Sequence, residues 1–154
     1  MNYCSMYIGT HLENFMHTKQ VGDIAEAAII LRALEKGWSV SKPIGENQRY
    51  DLIIDDGSTL HKVQCKSAKL TDNIIVGSIS RISRNGDVFV RHKYTTDEID
   101  VFALYCPDVK ECYWISCKDL MVDDGNVQSS IKLRIKQSSG NNQHKTRLAK
   151  DYIL

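Results

Sequence analysis

The sequence predicts an α+β domain, a long helix followed by a succession of short strands and a C-terminal helix. Three observations carry this. Apolar residues recur at helical spacing between residues 19 and 36, with Gly37 directly after them. An Asn85-Gly86 pair separates two β-type runs, a strong short-range hairpin signal. Two apolar runs, Val101–Cys106 and residues 112–116, have the length and composition of buried strands. At 154 residues, 42% hydrophobic and 25% charged, the chain has room for one core and an ordinary globular composition.

Residues 1–17 show no period and read as a loosely held leader or arm, leaving 18–154 as a single domain. Thr18 is the expected N-cap of the helix. Val21, Ile24, Ala28, Leu31 and Leu34 form its expected buried face, and Gly37 stops it. Ala25, Ala27, Ala28 and Ala33 are small enough to bring the helix close to a sheet. Glu26 lies on the border of the apolar face. It reads either as a boundary glutamate reaching solvent or as a carboxylate aimed over the sheet at a site. Residues 38–41 form a strand ended by Pro43, and 44–49 a polar loop. Residues 51–66 form a hairpin turning at Asp55, Asp56, Gly57 and Ser58. Residues 74–84 and 88–94 pair across Asn85-Gly86 as a second hairpin. Residues 118–121 suit a short helical turn, 123–126 a loop, and 141–152 a helix with Leu148 and Tyr152 on one face.

The first hairpin carries the chemistry. Side chains alternate along a strand, so Val63 and Cys65 face one side and Gln64 and Lys66 the other, with Asp51 brought near the second face. A carboxylate, an amide and an ammonium at one end of a sheet suit a divalent metal held beside a phosphate. Phosphodiester cleavage needs an activated water and neutralisation of developing charge, and Mg²⁺ supplies both from one or two carboxylates plus water. Asp51 is the expected first ligand, the backbone carbonyl of Cys65 another, and Glu26 a ligand through a metal-held water. Gln64 can offer a neutral, weaker side-chain oxygen. Lys66 would orient or help deprotonate the attacking water and steady the pentavalent phosphate. On spacing alone, an exposed ion pair on a hairpin is the simpler reading of Asp51 and Lys66.

The net charge of +1 conceals an uneven distribution. The second hairpin carries Arg81, Arg84, Arg91 and Lys93 against Asp87 alone, together with Ser78, Ser80, Ser83 and His92. A two-stranded ribbon fits the major groove, so these residues are candidate contacts to bases or phosphates, although a basic hairpin is also a common solvated edge. Lys132, Arg134, Lys136, Lys145 and Arg147 lie in a tail with no acid between residues 130 and 150, and would meet phosphates. Eight acids fall between 97 and 124. Five cysteines with no C-x-x-C pair argue against a disulfide framework and read as small buried side chains in a reducing compartment. No apolar run reaches the ~20 residues of a membrane span, and the N-terminus lacks the charge and apolar block of a signal peptide. A soluble, cytoplasmic chain is expected.

Together these residues resemble the PD-(D/E)XK nuclease superfamily. Glu26 stands in G-D-I-A-E-A-A-I-I-L-R-A-L, Asp51 in R-Y-D-L-I-I, and Gln64 and Lys66 in K-V-Q-C-K-S-A. More narrowly, the chain is similar to group I intron-encoded homing endonucleases of the cyanobacterial tRNA-intron type. Those also use Gln at the acid position, and resemble this sequence in I-D-V-F-A-L-Y-C-P-D and in the terminal A-x-D-Y. Tyr50 replaces the Pro of the superfamily pattern, and Gln64 its second acid. The resemblance implies a central mixed sheet flanked by helices, with an added hairpin for DNA. It implies Mg²⁺-dependent double-strand cleavage at an intron insertion site leaving 5′-phosphates, with Mn²⁺ as a substitute metal. The partners it implies are double-stranded DNA with a long, pseudo-palindromic site and further copies of the chain, a dimer at least and up to a tetramer. A Holliday-junction resolvase or repair nuclease is a second reading. A DNA-binding module silenced by Gln64 is a third.

Overall fold

The computed structural model describes residues 18–154 except 46, 86, 87, 123–125 and 138–146, together with the side chains of 82–85. The expected leader, the tip of the second hairpin, Lys145 and the first half of the expected C-terminal helix therefore lie outside the described residues. The C-terminal part of that helix is a short 3-10 turn, Ala149–Tyr152.

Among the described residues one α-helix, α1 (Thr18–Glu35), is followed by nine strands: β1 (Ser39–Ser41), β2 (Leu52–Asp55), β3 (Leu60–Thr71), β4 (Ile74–Ser78), β5 (Arg81–Asn85), β6 (Val88–His92), β7 (Val101–Cys106), β8 (Glu111–Ser116) and β9 (Ser130–Arg134). Thr18 is the first helical residue, not the cap before it. Gly37 takes φ +79°, its N–H donates to the Leu34 carbonyl (2.9 Å) and that of Trp38 to Ala33 (3.1 Å). This paired closure stops the helix where a left-handed residue is required.

The buried face of α1 is Ala25, Ile29 and Ala33, which corrects the sequence-based face. Ile24, Leu31 and Leu34 are 39%, 59% and 53% exposed. The helix is apolar on two sides, so periodicity alone cannot choose between them. The sheet selects the side on which two alanines let the backbones approach and Ile29 fills the gap. Full burial of such a side chain contributes roughly 1.5–3 kcal/mol.

Seven strands form one mixed sheet in the order β1-β2-β3-β4-β9, with β7 pairing parallel to β3 and β8 antiparallel to β7. One face packs on α1 through Leu52, Ile54, Val63, Cys65, Val101 and Ala103. The other face buries Ala68, Ile75, Phe102, Leu104, Tyr113 and Ile131, covered by connecting segments that include Ile79, Tyr94, Leu120 and Val127. Among the described residues the helical flank is thus one-sided. The short helical turn expected at 118–121 is a 3-10 turn one residue earlier, Cys117–Leu120, capped by Ser116 Oγ. Four cysteines (Cys65, Cys106, Cys112 and Cys117) are buried and unpaired. No described helix is long and apolar enough to cross a membrane.

The strand expected over 74–84 is two strands. Asp72 and Asn73 have φ of 49° and 63°, the left-handed pair of a two-residue hairpin turn, so β4 folds back on β3 and is covered on its far side by β9. Gly77 passes so close to Leu104 that an added Cβ would sit 3.0 Å from its Cδ2. At Ile79 the chain leaves the sheet, with the Ile79 N–H donating to the Ser129 carbonyl (3.0 Å). Only then does the separate ribbon β5–β6 begin.

The placement of β2 and β4 on β3 creates the site. β2 pairs with residues 60–63 of β3, and β4 with residues 68–71. Odd-numbered β3 residues bond toward this edge, as the Asp51 N–H to the Val63 carbonyl shows. Even-numbered ones bond toward β7, as with Lys62 N–H to Asp100 and Leu70 N–H to Asp108. Two strands therefore share one edge of β3 and part around residues 64–67, leaving that stretch unpaired on this edge while β7 pairs it on the other.

Candidate active site

Asp51 fills the fork. It immediately precedes β2, and its Oδ2 accepts hydrogen bonds from the Cys65 backbone N–H (2.8 Å) and from Gln64 Nε2. Its Oδ1 has no recorded partner among the described residues. The carboxylate thus substitutes for the missing strand, satisfying a backbone donor that would otherwise be orphaned. A strand residue sends its N–H and C=O to the same side, so the Cys65 carbonyl also leaves on the Asp51 edge.

Burial sets the electrostatics. It raises the Asp51 carboxyl above its ordinary 3.8, against the lowering effects of the Cys65 N–H and of the Lys66 and Lys42 charges. Burial likewise lowers the Lys66 ammonium from its ordinary value, with the Asp51 charge pulling the other way. Gln64, only 6% exposed, is the buried polar side chain of the core, and its amide is spent on Asp51. The Cys65 thiol is pushed well up by burial and is no nucleophile.

Glu26 reaches the same region from α1. It is ion-paired with Lys42, and the two line a cavity of about 280 Å³ with Tyr50 and Asp51. The hydrogen bond and charge of Glu26 raise the pKa of Lys42. The Glu26 side chain is 23% exposed and lines the cavity that Asp51 also lines. Lys42 is a residue that sequence reasoning missed, because its partners lie on other elements and no local spacing reveals them. Tyr94 is another. It is buried against Phe102 and its phenol is pushed up to about 12, first by burial and then by the Asp51 charge, while Arg81 opposes the rise. The root of the ribbon therefore lies within electrostatic reach of Asp51.

The potential ligands of the site are oxygens: Asp51 Oδ1, the Cys65 carbonyl and Gln64 Oε1 at the fork, and Glu26 on the cavity that Asp51 also lines. A hard cation such as Mg²⁺ suits that set, while zinc favours nitrogen and sulfur. Among the described residues no group of three or more His, Cys, Asp or Glu is placed to hold a metal. A cation here would keep several waters or use substrate oxygens, as Mg²⁺ ordinarily does.

The candidate DNA contacts divide into groups. Arg81, Arg91 and His92 lie on the ribbon, with Arg91 and His92 exposed. Ser83 and Arg84 are in β5 opposite Val90 and Phe89, with side chains outside the described residues. Ser78 belongs to the main sheet, opposite Ser130, and the Ser80 Oγ at the ribbon root is buried with no hydrogen-bond partner among the described residues. Lys93, Lys132, Arg134 and Arg147 gather in a separate cleft, and Lys136 is exposed beyond β9.

A family model described as PD-(D/E)XK endonuclease matches residues 16–154. The solved structure of a bacterial homing endonuclease, I-Ssp6803I, is similar over 88% of this chain and 88% of its own, with a TM-score of 0.65 and 30% sequence identity. No curated protein matches.

Proposed function

The chain belongs to the PD-(D/E)XK endonuclease family, and on that premise we propose that it is a sequence-specific homing endonuclease making Mg²⁺-dependent double-strand breaks at an intron insertion site. The observation that carries the reading is the fork itself, where Asp51 binds the Gln64 amide and the Cys65 N–H at the open edge of β3, with Lys66 the next residue along the strand and within reach of the Asp51 charge.

Asp51 Oδ1 and the Cys65 carbonyl would hold the ion, with Gln64 Oε1 beside them and Glu26 reaching it through water. When bound, Mg²⁺ (or Mn²⁺ in its place) lowers the pKa of a water and neutralises charge on the phosphate. Lys66 orients the attacking water and helps take its proton, a role favoured by the burial that weakens its hold on its own proton. As an ammonium it steadies the pentavalent phosphate. Gln64 keeps Asp51 in place through its Nε2 bond. The products carry 5′-phosphates. One such centre cuts one strand, so a double-strand break takes at least two copies, as a dimer or a tetramer of paired dimers on a pseudo-palindromic site. The β5–β6 ribbon reads the major groove through Arg81, Arg84 and Arg91, with hydrogen bonds from Ser83 and His92.

The test is incubation with Mg²⁺ and either a randomised duplex library or a four-way junction. Cuts at one duplex sequence are expected. Cleavage confined to the junction would make the chain a resolvase. Tight duplex binding with no cleavage in Mg²⁺ or Mn²⁺ would make it a silent binding module.

A further inference from the structure

We propose that a second site, a basic cleft at the β9 edge, grips phosphates of the DNA backbone away from the scissile bond; the source of those phosphates rests on the nuclease reading above. The cleft has a volume of about 560 Å³ and brings together Lys93, Lys132, Arg134 and Arg147. These come from three stretches of chain: the exit of the ribbon, β9, and the segment that bridges to β9 at Leu148. On β9 burial alternates, so Ile131 and Leu133 enter the core while Lys132 and Arg134 point outward. The Arg134 N–H donates to the Arg147 carbonyl (2.9 Å), and the Arg147 guanidinium donates to the Asp119 carbonyl, which fixes the two arginines side by side. Ser129 and Ser130 add neutral hydroxyls to the wall.

No described Asp or Glu lines the cleft, and among the described residues none of its four cations is in an ion pair. Four like charges in one concavity repel one another, and an anion relieves that repulsion. Arginine forks and lysine ammonium groups match phosphate oxygens. Several cations spread over one groove suit a run of phosphates better than a single one.

The position fits a duplex engaged at the fork. Arg134 pairs in register with Ile74, and Ile74 with Thr71. It is thus five residues along β3 from Lys66 and two strands across, about 20 Å by strand spacing and roughly six base pairs of duplex rise. Lys132 and Arg134 leave the sheet on the face opposite Lys66. Lys93 and Gln128, however, adjoin Tyr94 and Val127, which belong to the core on the Lys66 face. The cleft wall therefore runs from the outward face of β9 to the segments that cover the Lys66 face.

The experiment uses Lys132→Gln combined with Arg134→Gln in an Asp51→Asn background, so that DNA is bound and not cut. Affinity for mixed-sequence duplexes is measured over a salt series. The slope of log K against log salt should become shallower by about two, with an affinity loss of roughly tenfold at low salt that is equal on unrelated sequences. An unchanged slope in a protein with unaltered circular dichroism and melting temperature overturns the proposal. Loss of inorganic pyrophosphate binding with an unchanged DNA slope would make a free anion the ligand and equally overturn it. Should the double variant misfold, Lys132→Gln alone, at an exposed position, decides by a slope change of about one. A wild-type chain that cuts no duplex yet loses slope on substitution keeps the cleft and loses the nuclease reading. A chain that cuts but keeps its slope loses only the cleft.

Discussion

The fork and the cleft handle charge in opposite ways. At the fork, a half-buried Asp51 and Lys66 are held near a buried amide, and burial pushes both toward their neutral forms. In the cleft, four cations stand together at the surface with no acid among them. Charges taken from water act strongly on what touches them and cost the fold stability. Charges left in water cost the fold little and act at longer range, subject to salt. The first arrangement suits a reaction at one phosphate, the second suits holding many.

The sharpest way to break this contrast is Asp51→Asn. Both donors meet the same oxygen, Oδ2, so an amide oxygen can accept both bonds while the charge disappears. Cleavage should fall by roughly 10³-fold, with duplex binding largely spared. The metal-free variant should melt at or above the wild type at neutral pH. The sign follows from the raised carboxyl pKa. The folded state favours the protonated acid, so this group's stabilisation is full below 3.8 and is lost as pH rises through the folded value. Melting temperature against pH, without metal, should show that decline in the wild type and lack it in the variant. Normal turnover in the variant would place the active centre elsewhere.

Gln64→Glu comes next. It removes the Nε2 donor to Asp51 and sets two carboxylates in one buried place, so the metal-free protein should lose stability at neutral pH. Added Mg²⁺ should restore more stability to this variant than to the wild type, because a second charged oxygen replaces a neutral one. Thermal melts with and without Mg²⁺ read both effects. A variant as stable as the wild type without metal would show that the Asp51–Gln64 contact matters little.

A smaller effect is expected at the ribbon. Arg84→Ala should weaken binding by about 1–3 kcal/mol with a changed base preference, measured by selection from a randomised duplex pool. Cleft substitutions should instead weaken all sequences alike. A uniform loss for Arg84→Ala would put it with the cleft as a backbone contact.

What the sequence discloses about these sites follows the distance over which each is assembled. Asp51, Gln64, Cys65 and Lys66 share one hairpin, so alternation and a turn are enough to place them together. The Lys42–Glu26 pair and the four-cation cleft join separate elements, and no local spacing announces them. The buried face of α1 is hidden for a different reason: alanines and large aliphatics alternate around the whole helix, and only the sheet chooses. The run from 74 to 84 contains no Pro, and its one Gly, Gly77, lies inside β4 before the departure at Ile79, so no residue marks that departure. Sequence reasoning also passed over the Asp72-Asn73 turn, whose left-handed pair folds β4 onto β3 and so into the main sheet.

The ribbon also has a consequence for exchange with solvent. Among the described residues β5 and β6 pair only with each other, while β3 has β7 on one edge and, outside the gap at 64–67, β2 and β4 on the other. Amide hydrogens of the ribbon should therefore exchange through local opening, and those shared by β3 and β7 only when the whole domain unfolds. A bound duplex would lend the ribbon the protection that its own chain withholds.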